Sequence, residues 1–400
     1  MHNQWLNKRL LKTSIAIVII LMTSVSCFAQ IPGLAPQKAW DLNGYVKYMA
    51  TYNVPDEFDN SADHLIHQRF NFEYRFGSGF RFNAGMRNRA LMGDSLDIPN
   101  YSDFVALDNG YMDLNKNLKT SNDVIINSQF DRLFFDWKGE EWNARVGRFR
   151  INWAMNTVWN PNDLFNAYSI YDFDYEERAG SDAILVGKKL GFADGFELIA
   201  SPNQDGSLNS YSGRYFSNIS GWDYQLIAGK SLLDTVFGAG FATDWKGAGV
   251  RGELTWFDPS EEEYKGIKQE QTVVASIEGD YSLGGRRNWM GRVAWLYISN
   301  PLDIDNAQLY LSLPLSAKTL SFTKNTAYVD VSFDITPLNR TTLSASYYQD
   351  DSYFIGLTNS YSLANNWQLL GVIQRFDGNQ DSLFSQTAAT LFFANIKWSF

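Results

Sequence analysis

The sequence has 400 residues, a formal net charge of −10 and a single cysteine, Cys27. The acidic charge argues against nucleic acid as a partner, and one cysteine leaves no disulfide framework. Aromatic residues make up 16% of the chain, yet its mean hydropathy is only −0.28. That combination is unusual for a soluble protein, which would bury so many rings in an aliphatic core.

The N-terminus has the layout of a secretory signal peptide. Its positive segment contains three cations: Lys8, Arg9 and Lys12. An apolar run follows at residues 14–22, and cleavage is expected after residue 29. Cys27 also allows a lipid-anchor interpretation, but Ser24 stands where that signal favours an aliphatic residue. The sequence therefore predicts a signal peptide, residues 1–29, and an exported chain, residues 30–400, with no apolar run long enough for a spanning helix.

Period-two alternation begins at Trp40 and recurs to the last residue. In residues 66–76 large, mostly aromatic side chains alternate with polar or charged ones, and the pattern resumes after the turn at residues 77–79. A soluble β-sandwich also alternates, but its inner face is mostly aliphatic and its outer face is polar. An aromatic face paired with a charged face instead suits lipid outside a barrel and water inside it.

The connections between the predicted strands divide into short and long ones. The long connections are residues 53–64, 92–122, 151–181, 202–211, 258–269 and 300–325. Short periplasmic turns that alternate with long outer loops are typical of bacterial outer-membrane barrels. We count about eighteen strands. A count of sixteen strands stays open because the strand assignment around the segment 300–325 is ambiguous. The last predicted strand, residues 386–399, has one apolar face and leads to Phe400, which resembles the terminal signal that the barrel assembly machinery recognises.

These patterns predict an all-β fold, a single transmembrane antiparallel β-barrel of about 16–18 strands over residues 30–400. Its location would be the outer membrane of a Gram-negative cell, in contact with lipid and lipopolysaccharide. The sequence leaves open whether three such barrels associate into a homotrimer. It indicates no cofactor and no metal ligand set.

The third outer loop is the most distinctive segment and is predicted to fold inward. Its Asn-Pro-Asn-Asp sequence can cap a short helix over residues 164–168. From residue 172 onward, acidic residues alternate with aromatic residues. Six polar residues are predicted to lie at a constriction: Asn160, Asp163, Asp172, Asp174, Glu176 and Glu177. Narrowing of a lumen by such a loop is one route to selectivity, and a loop that only braces the barrel is the alternative.

The same segment carries a family resemblance. Gly-Arg-x-x-x-Asn-Trp at residues 147–153, followed by Trp-Asn-Pro-x-Asp at residues 159–163, resembles outer-membrane barrels related to the alginate-export and phosphate-selective porins, which are common in Bacteroidota. The resemblance implies a porin-like fold and passive transport of small hydrophilic or anionic solutes. It does not fix the solute.

Charged residues of the predicted lumen face are segregated along the chain. Seven arginines of the early strands are predicted to line the pore: Arg69, Arg75, Arg81, Arg87, Arg132, Arg145 and Arg148. Acids lie on the same face of the later strands: Glu253, Glu278, Asp280, Asp330 and Asp334. An arginine wall that faces an acidic loop would set a transverse field across the pore. Ion pairs between neighbouring strands, such as Glu73 with Arg81, are the alternative.

Three other functions compete with a pore. A hydrolase needs a histidine base, and after residue 29 only His64 and His67 are available, with no serine tied to them by a motif. A calcium site could use the acids of residues 172–177, but these lack an EF-hand pattern. A non-conducting barrel could serve as a surface anchor or binding module. We therefore predict no enzymatic activity and no catalytic residue.

Overall fold

The computed structural model describes residues 38–174, 178, 180–304, 307, 310 and 315–400. The predicted signal peptide, residues 1–29, and the predicted loop acids Glu176 and Glu177 lie outside these described residues. Trp40–Phe400 forms one compact unit. Within the described ranges, no helix has the length and apolar character needed to cross a membrane.

Strands form nearly all of the unit Trp40–Phe400, and we number them β1 to β21 in chain order. Eighteen of the described strands form the wall: β1 (Trp40–Pro55), β2 (Ser61–Gly77), β3 (Phe80–Gly93), β5 (Ile125–Lys138), β6 (Trp142–Phe149), β7 (Ser181–Lys189), β8 (Gly195–Ser201), β9 (Ser210–Ile219), β10 (Trp222–Ser231), β11 (Asp234–Trp245), β12 (Ala248–Pro259), β15 (Thr272–Gly284), β16 (Trp289–Ile298), β17 (Asn325–Thr336), β18 (Asn339–Tyr348), β19 (Ser352–Ala364), β20 (Trp367–Gly378) and β21 (Ala389–Ser399). The other three are short and lie in outer loops: β4 (Asn115–Thr120), β13 (Glu263–Tyr264) and β14 (Ile267–Lys268).

The wall is one closed antiparallel barrel. Each wall strand pairs with the wall strands before and after it, and β1 pairs with both β2 and β21. Backbone hydrogen bonds between Gly44 and Phe400 complete that seam. The predicted fold class is therefore confirmed, with eighteen strands rather than sixteen. Short β4 pairs with the outer part of β5, above the part that pairs with β6.

The connections follow the predicted alternation of short and long. Three of the periplasmic turns consist of two residues that both have positive φ, as at Ser220 (φ 53°) and Gly221 (φ 84°). Two positive φ values define the hairpin turn that matches strand twist, and glycine adopts the second without strain. The outer connections include residues 94–124, 150–180 and 299–324. Tyr101–Ala106, the α-helix in the first of these, has only six residues.

The barrel exterior is apolar and its two rims are aromatic. On β2, Ile66 is 44% exposed and Phe76 is 60% exposed, whereas the intervening His67 and Arg69 are buried. Exposed rings near the short turns include Trp40, Phe80, Trp142, Trp222, Trp245 and Trp367. Exposed rings toward the outer loops include Tyr48, Tyr52, Tyr211, Tyr347 and Phe392. Two aromatic girdles around an apolar band fit a bilayer.

The third outer loop, residues 150–180, enters the barrel; we call it the inner loop. Its buried side chains Ile151, Trp153, Val158 and Trp159 join wall residues in the main apolar cluster of the molecule. The helix expected over residues 164–168 is wrong, because this segment has bends at residues 165 and 166 and no regular secondary structure. The N–H of Asn162 is bound by a wall carboxylate, and the N–H groups of Asp163 and Leu164 bond to oxygens within the turn.

Candidate functional site: the inner loop and the chamber beside it

The first half of the inner loop is fixed to the wall by buried carboxylates. Glu253 on β12 accepts hydrogen bonds from the backbone N–H groups of Met155, Asn156 and Asn162. Glu278 on β15 accepts from the N–H groups of Thr157 and Val158. A carboxylate that accepts several N–H groups replaces the water that exposed loop backbone would bind. The loop therefore packs against this wall without a helix of its own.

The Trp-Asn-Pro-x-Asp motif contacts the wall through Asn162. The amide of Asn162 donates to the carbonyl of Ala239 at 2.9 Å and accepts from the Thr255 hydroxyl at 2.7 Å. A Cβ at Gly238 or Gly240 would lie within 2.9 Å of this amide, so β11 can receive Asn162 only because both positions are glycine.

Asn160 and Asp163, predicted as constriction residues, are almost completely buried in this contact. The Asp163 carboxylate oxygens find no hydrogen-bond partner among the described residues. Burial raises the pKa of Asp163 to about 6, although the charges of Arg150 and Arg178 lower it. Both Asn160 and Asp163 therefore belong to the loop–wall packing.

The second half of the inner loop crosses to the opposite wall. The ring of Tyr171 packs against Phe354 and Phe376, with centroids 4.6 and 5.3 Å away. The predicted constriction residue Asp174 pairs with Lys47 on β1 at 2.6 Å. Asp172, the other described acid of this segment, is exposed and borders a cavity of the barrel interior. The loop thus spans the barrel from β12 and β15 to β1 and β19–β21.

The predicted pore arginines near the turn end form a ladder of ion pairs with wall acids. Arg81 and Arg145 share the carboxylate of Asp136. Arg75 pairs with Asp41 and with Glu73, and Glu73 also lies 3.8 Å from Arg81. The expectation that these arginines face an acidic loop is wrong, because carboxylates of their own wall neutralise them. A wall acid on the neighbouring strand is within reach of each guanidinium.

Two other arginines of the predicted set are sealed. Arg69 makes a bidentate pair with Asp131 at 2.5 and 2.9 Å, and the two side chains are 1% and 0% exposed. Arg148 binds both oxygens of Asp182 and one oxygen of Asp108, which belongs to the outer loop 94–124. Burial raises the pKa of Asp108, but hydrogen bonds from Arg148 and from backbone N–H groups outweigh it and lower the pKa. Arg148 therefore holds an outer loop on the end of β6.

Arg87 and Arg132 each donate to a neutral oxygen. Arg87 donates to the side-chain oxygen of Gln129 at 2.5 Å, and Arg132 donates to the carbonyl oxygen of Arg178 at 3.1 Å. Arg178 itself stands above the ring of Tyr168. The side chains of Arg87, Arg132 and Arg178 are only partly buried, unlike those of the two sealed arginines.

A chamber of about 1280 Å³ lies beside the second half of the inner loop. Its lining comes from three sources. The barrel wall supplies Arg87, Gln129, Asp131, Arg148, Asp182 and Gln374; the inner loop supplies Leu164, Phe165, Tyr168, Tyr171, Asp172 and Arg178; and other outer loops supply Asp108, Gly110, Asp205 and Lys265. Of the seven predicted pore-lining arginines, the chamber brings together Arg87 and Arg148.

The glutamates that hold the loop, and Lys47, were missed as loop partners by sequence reasoning. Glu253 and Glu278 were placed on the wet face of their strands, and that face is correct. Neither strand carries a sequence signal for the contact, because Arg251 and Asp280 lie on the same inward faces and offer the glutamates ordinary wall neighbours. The motif that each carboxylate binds lies about a hundred residues earlier, so only the fold reveals the pairing.

Other predicted chemistries find no assembled site in the described residues. His64 bonds through Nδ1 to the Tyr48 hydroxyl at 2.8 Å, and buried His67 lies edge-on to the ring of Tyr45. The described residues contain no cluster of three or more histidine, cysteine or acidic residues suited to a metal ion. Two of the acids considered for calcium, Glu176 and Glu177, lie outside the described residues.

Comparison with known proteins finds similarity in fold alone. No protein-family profile and no curated protein sequence matches the chain. Among solved structures, OccAB4 of Acinetobacter baumannii superposes with a TM-score of 0.60 at 8% identity, covering 91% of this chain and 98% of that one. OccK5 (OpdH) of Pseudomonas aeruginosa gives 0.56 at 11% identity, covering 90% and 98%. OccD3 (OpdP) of the same organism gives 0.53 at 11% identity, covering 90% and 91%. The closed barrel and its apolar exterior make the chain an outer-membrane protein.

Proposed function

We propose that this protein is an outer-membrane porin through which small hydrophilic solutes diffuse passively, with a preference for anions. The observation that carries the proposal is the course of the inner loop. It lies inside the barrel, packs its first half on β12 and β15, crosses to the opposite wall and leaves a chamber of about 1280 Å³ beside it. A barrel that only anchored a partner would need no such chamber.

The preference for anions follows from which charges a solute in the chamber can reach. Three acids of the lining are buried against arginines: Asp108 and Asp182 against Arg148, and Asp131 against Arg69. Two further guanidinium groups of the lining, Arg87 and Arg178, are partly exposed. Of the other described lining acids, Asp172 is exposed, and Asp205, whose side chain is 37% exposed, pairs with Lys265 of the lining at 3.4 Å. Guanidinium groups beside a pathway lower the electrostatic barrier for anions and raise it for cations.

Membership of the alginate-export and phosphate-selective porin group is part of this proposal. Its support is that the resembling residues are the ones that shape the inner loop. Trp153 donates to Glu197, and Asn162 fits against the glycines of β11. The absence of enzymatic activity and the association of three barrels remain predictions.

Conductance of the purified protein in a planar bilayer tests the proposal. The wild-type barrel should give stable single-channel steps, and a salt gradient should give a reversal potential of the sign for anion preference. Deleting residues 160–178 should raise the conductance sharply, because the loop then leaves the lumen. A matched control deletes residues 260–263 of another outer loop, which do not line the chamber. A folded wild-type barrel that never conducts would refute the porin and favour the anchor.

A further inference from the structure

Two walls of the barrel interior differ in charge, and the first half of the inner loop covers one of them. Three acids, which we call the acid wall, lie on neighbouring strands: Glu253 on β12, and Glu278 and Asp280 on β15. Glu253 and Glu278 are 3% and 2% exposed, because the loop backbone lies on them. Of the described residues that line the chamber, none belongs to β11, β12 or β15. The chamber is therefore bordered by the strands that carry Arg87 and Arg148, and not by the strands that carry the acid wall.

We infer that Glu253 and Glu278 are positioning residues that set the ion selectivity of the channel by holding the inner loop over the acid wall. This inference rests on the proposed porin function. The two carboxylates bind the loop, and the loop in turn removes the same carboxylates from the solute's path. One contact thus fixes the loop and hides the charges that would favour cations.

The geometry at Glu253 explains why a carboxylate is needed there. One oxygen accepts from Met155 and Asn156, and the other accepts from Asn162 at 2.9 Å. Within the described residues no cation pairs with Glu253. The N–H groups of the loop therefore stabilise the negative charge of its carboxylate. A glutamine has a single acceptor oxygen, and its NH₂ group would face an N–H donor. A glutamine at position 253 would therefore lose at least one of the three hydrogen bonds from the loop backbone.

Glu278 holds the loop from a second strand. It accepts from Thr157 and Val158 at 2.8–3.0 Å and pairs with Arg251 at 3.1 Å. Arg251 also binds Asp280. Thr157 in turn accepts, through its hydroxyl, from Arg292 on β16 at 2.6 Å. Because consecutive loop residues bind two carboxylates on two strands, the segment can neither rotate nor slide while both are present.

Two kinds of variant separate loop position from wall charge. The double variant Glu253→Gln with Glu278→Gln frees the loop and removes two negative charges. We expect a larger and noisier conductance with anion preference retained. Replacing residues 155–162 by a short Gly-Ser linker, with both glutamates kept, uncovers the acid wall, and the reversal potential should move toward cations. Combining the linker with both glutamine substitutions should restore the anion preference.

A control variant and a second measurement complete the test. Asp334→Asn removes a lumen acid that pairs with Arg340 and that touches no described residue of the inner loop, and it should leave conductance noise unchanged. Val158→Cys reports loop position directly, because Val158 is buried and Cys27, the sole cysteine, lies in the predicted signal peptide. Maleimide should label this cysteine about tenfold faster or more in the double glutamine background, as loss of charged hydrogen bonds requires.

The outcomes distinguish the inference from the proposed function. An unchanged labelling rate in the double glutamine variant overturns the positioning role, whether or not the protein conducts. A linker variant that conducts with the wild-type reversal potential overturns the role in selectivity. A wild-type barrel without conductance refutes the porin, and the labelling rates then still decide whether the glutamates hold the loop.

Discussion

The pair of Arg69 with Asp131 yields the sharpest stability prediction. Both side chains are sealed, at 1% and 0% exposure, and two short hydrogen bonds join them. Arg69→Met removes the cation and leaves a carboxylate buried without its main counter-charge. Breaking a buried pair in this way costs about 3–5 kcal/mol in the free energy of unfolding. Arg69 does not line the chamber, but Asp131 does, so the uncompensated carboxylate of the single variant should also move the reversal potential toward cations.

Urea titration of the barrel refolded in detergent micelles, followed by the electrophoretic shift of folded barrel, measures the loss. The double variant Arg69→Met with Asp131→Leu removes both charges and should recover most of the stability, to within about 1–2 kcal/mol of the wild type. A single variant that unfolds at the wild-type urea concentration would refute the sealed ion pair. The double variant removes both charges, so its reversal potential should equal that of the wild type, and a shifted value there would contradict the neutrality of the pair.

Three further changes have separate readouts. Arg87→Ala should lower anion preference and raise conductance with little effect on folding, since Arg87 lines the chamber and rests on Gln129. Deleting Phe400, or replacing Phe400 and Trp398 by charged residues, should impair insertion and leave a protease-sensitive periplasmic species. Asp163→Asn should stabilise the barrel at pH 8 but not at pH 4. The folded-state pKa of Asp163 is raised from 3.8 to about 6, so its contribution to stability is present below pH 3.8 and lost as the pH rises through 6; the gain is about 3 kcal/mol at most.

Each of these has a result that would count against it. An unchanged reversal potential in Arg87→Ala would exclude this arginine from the pathway. Normal outer-membrane levels of the Phe400 and Trp398 variant would contradict the terminal signal. Equal unfolding midpoints for Asp163→Asn and wild type at pH 8 would mean that the buried carboxylate is better compensated than its missing hydrogen bonds indicate.

The barrel was predictable because each strand has to present apolar side chains to lipid on one face and polar side chains to the interior on the other. Alternation placed the last predicted strand, residues 386–399, within three residues of Ala389–Ser399. Loop length then fixed which ends face outward. Both signals are local in sequence, so they needed no knowledge of the partner strand.

The site was less predictable because its contacts join distant segments. Sequence alternation correctly placed Arg69 inside the barrel, but it could not show that Asp131 on β5 would neutralise it. The Asn-Pro-Asn-Asp turn has the local features of a helix start, yet Glu253 binds the N–H of Asn162 and the segment remains a turn. In such cases a long-range charge overrides a local preference, and one sequence contains no record of the pairing.

The seam between β1 and β21 has a consequence for biosynthesis. Tyr45 pairs with Ser399, so β1 cannot complete its pairing until a segment some 350 residues later in the chain is present. Bringing such distant segments together is entropically costly and slow. Until β21 arrives, β1 offers unpaired backbone groups that can recruit strands of other chains into aggregates. A nascent or C-terminally shortened chain therefore depends on periplasmic chaperones for as long as its last strand is missing.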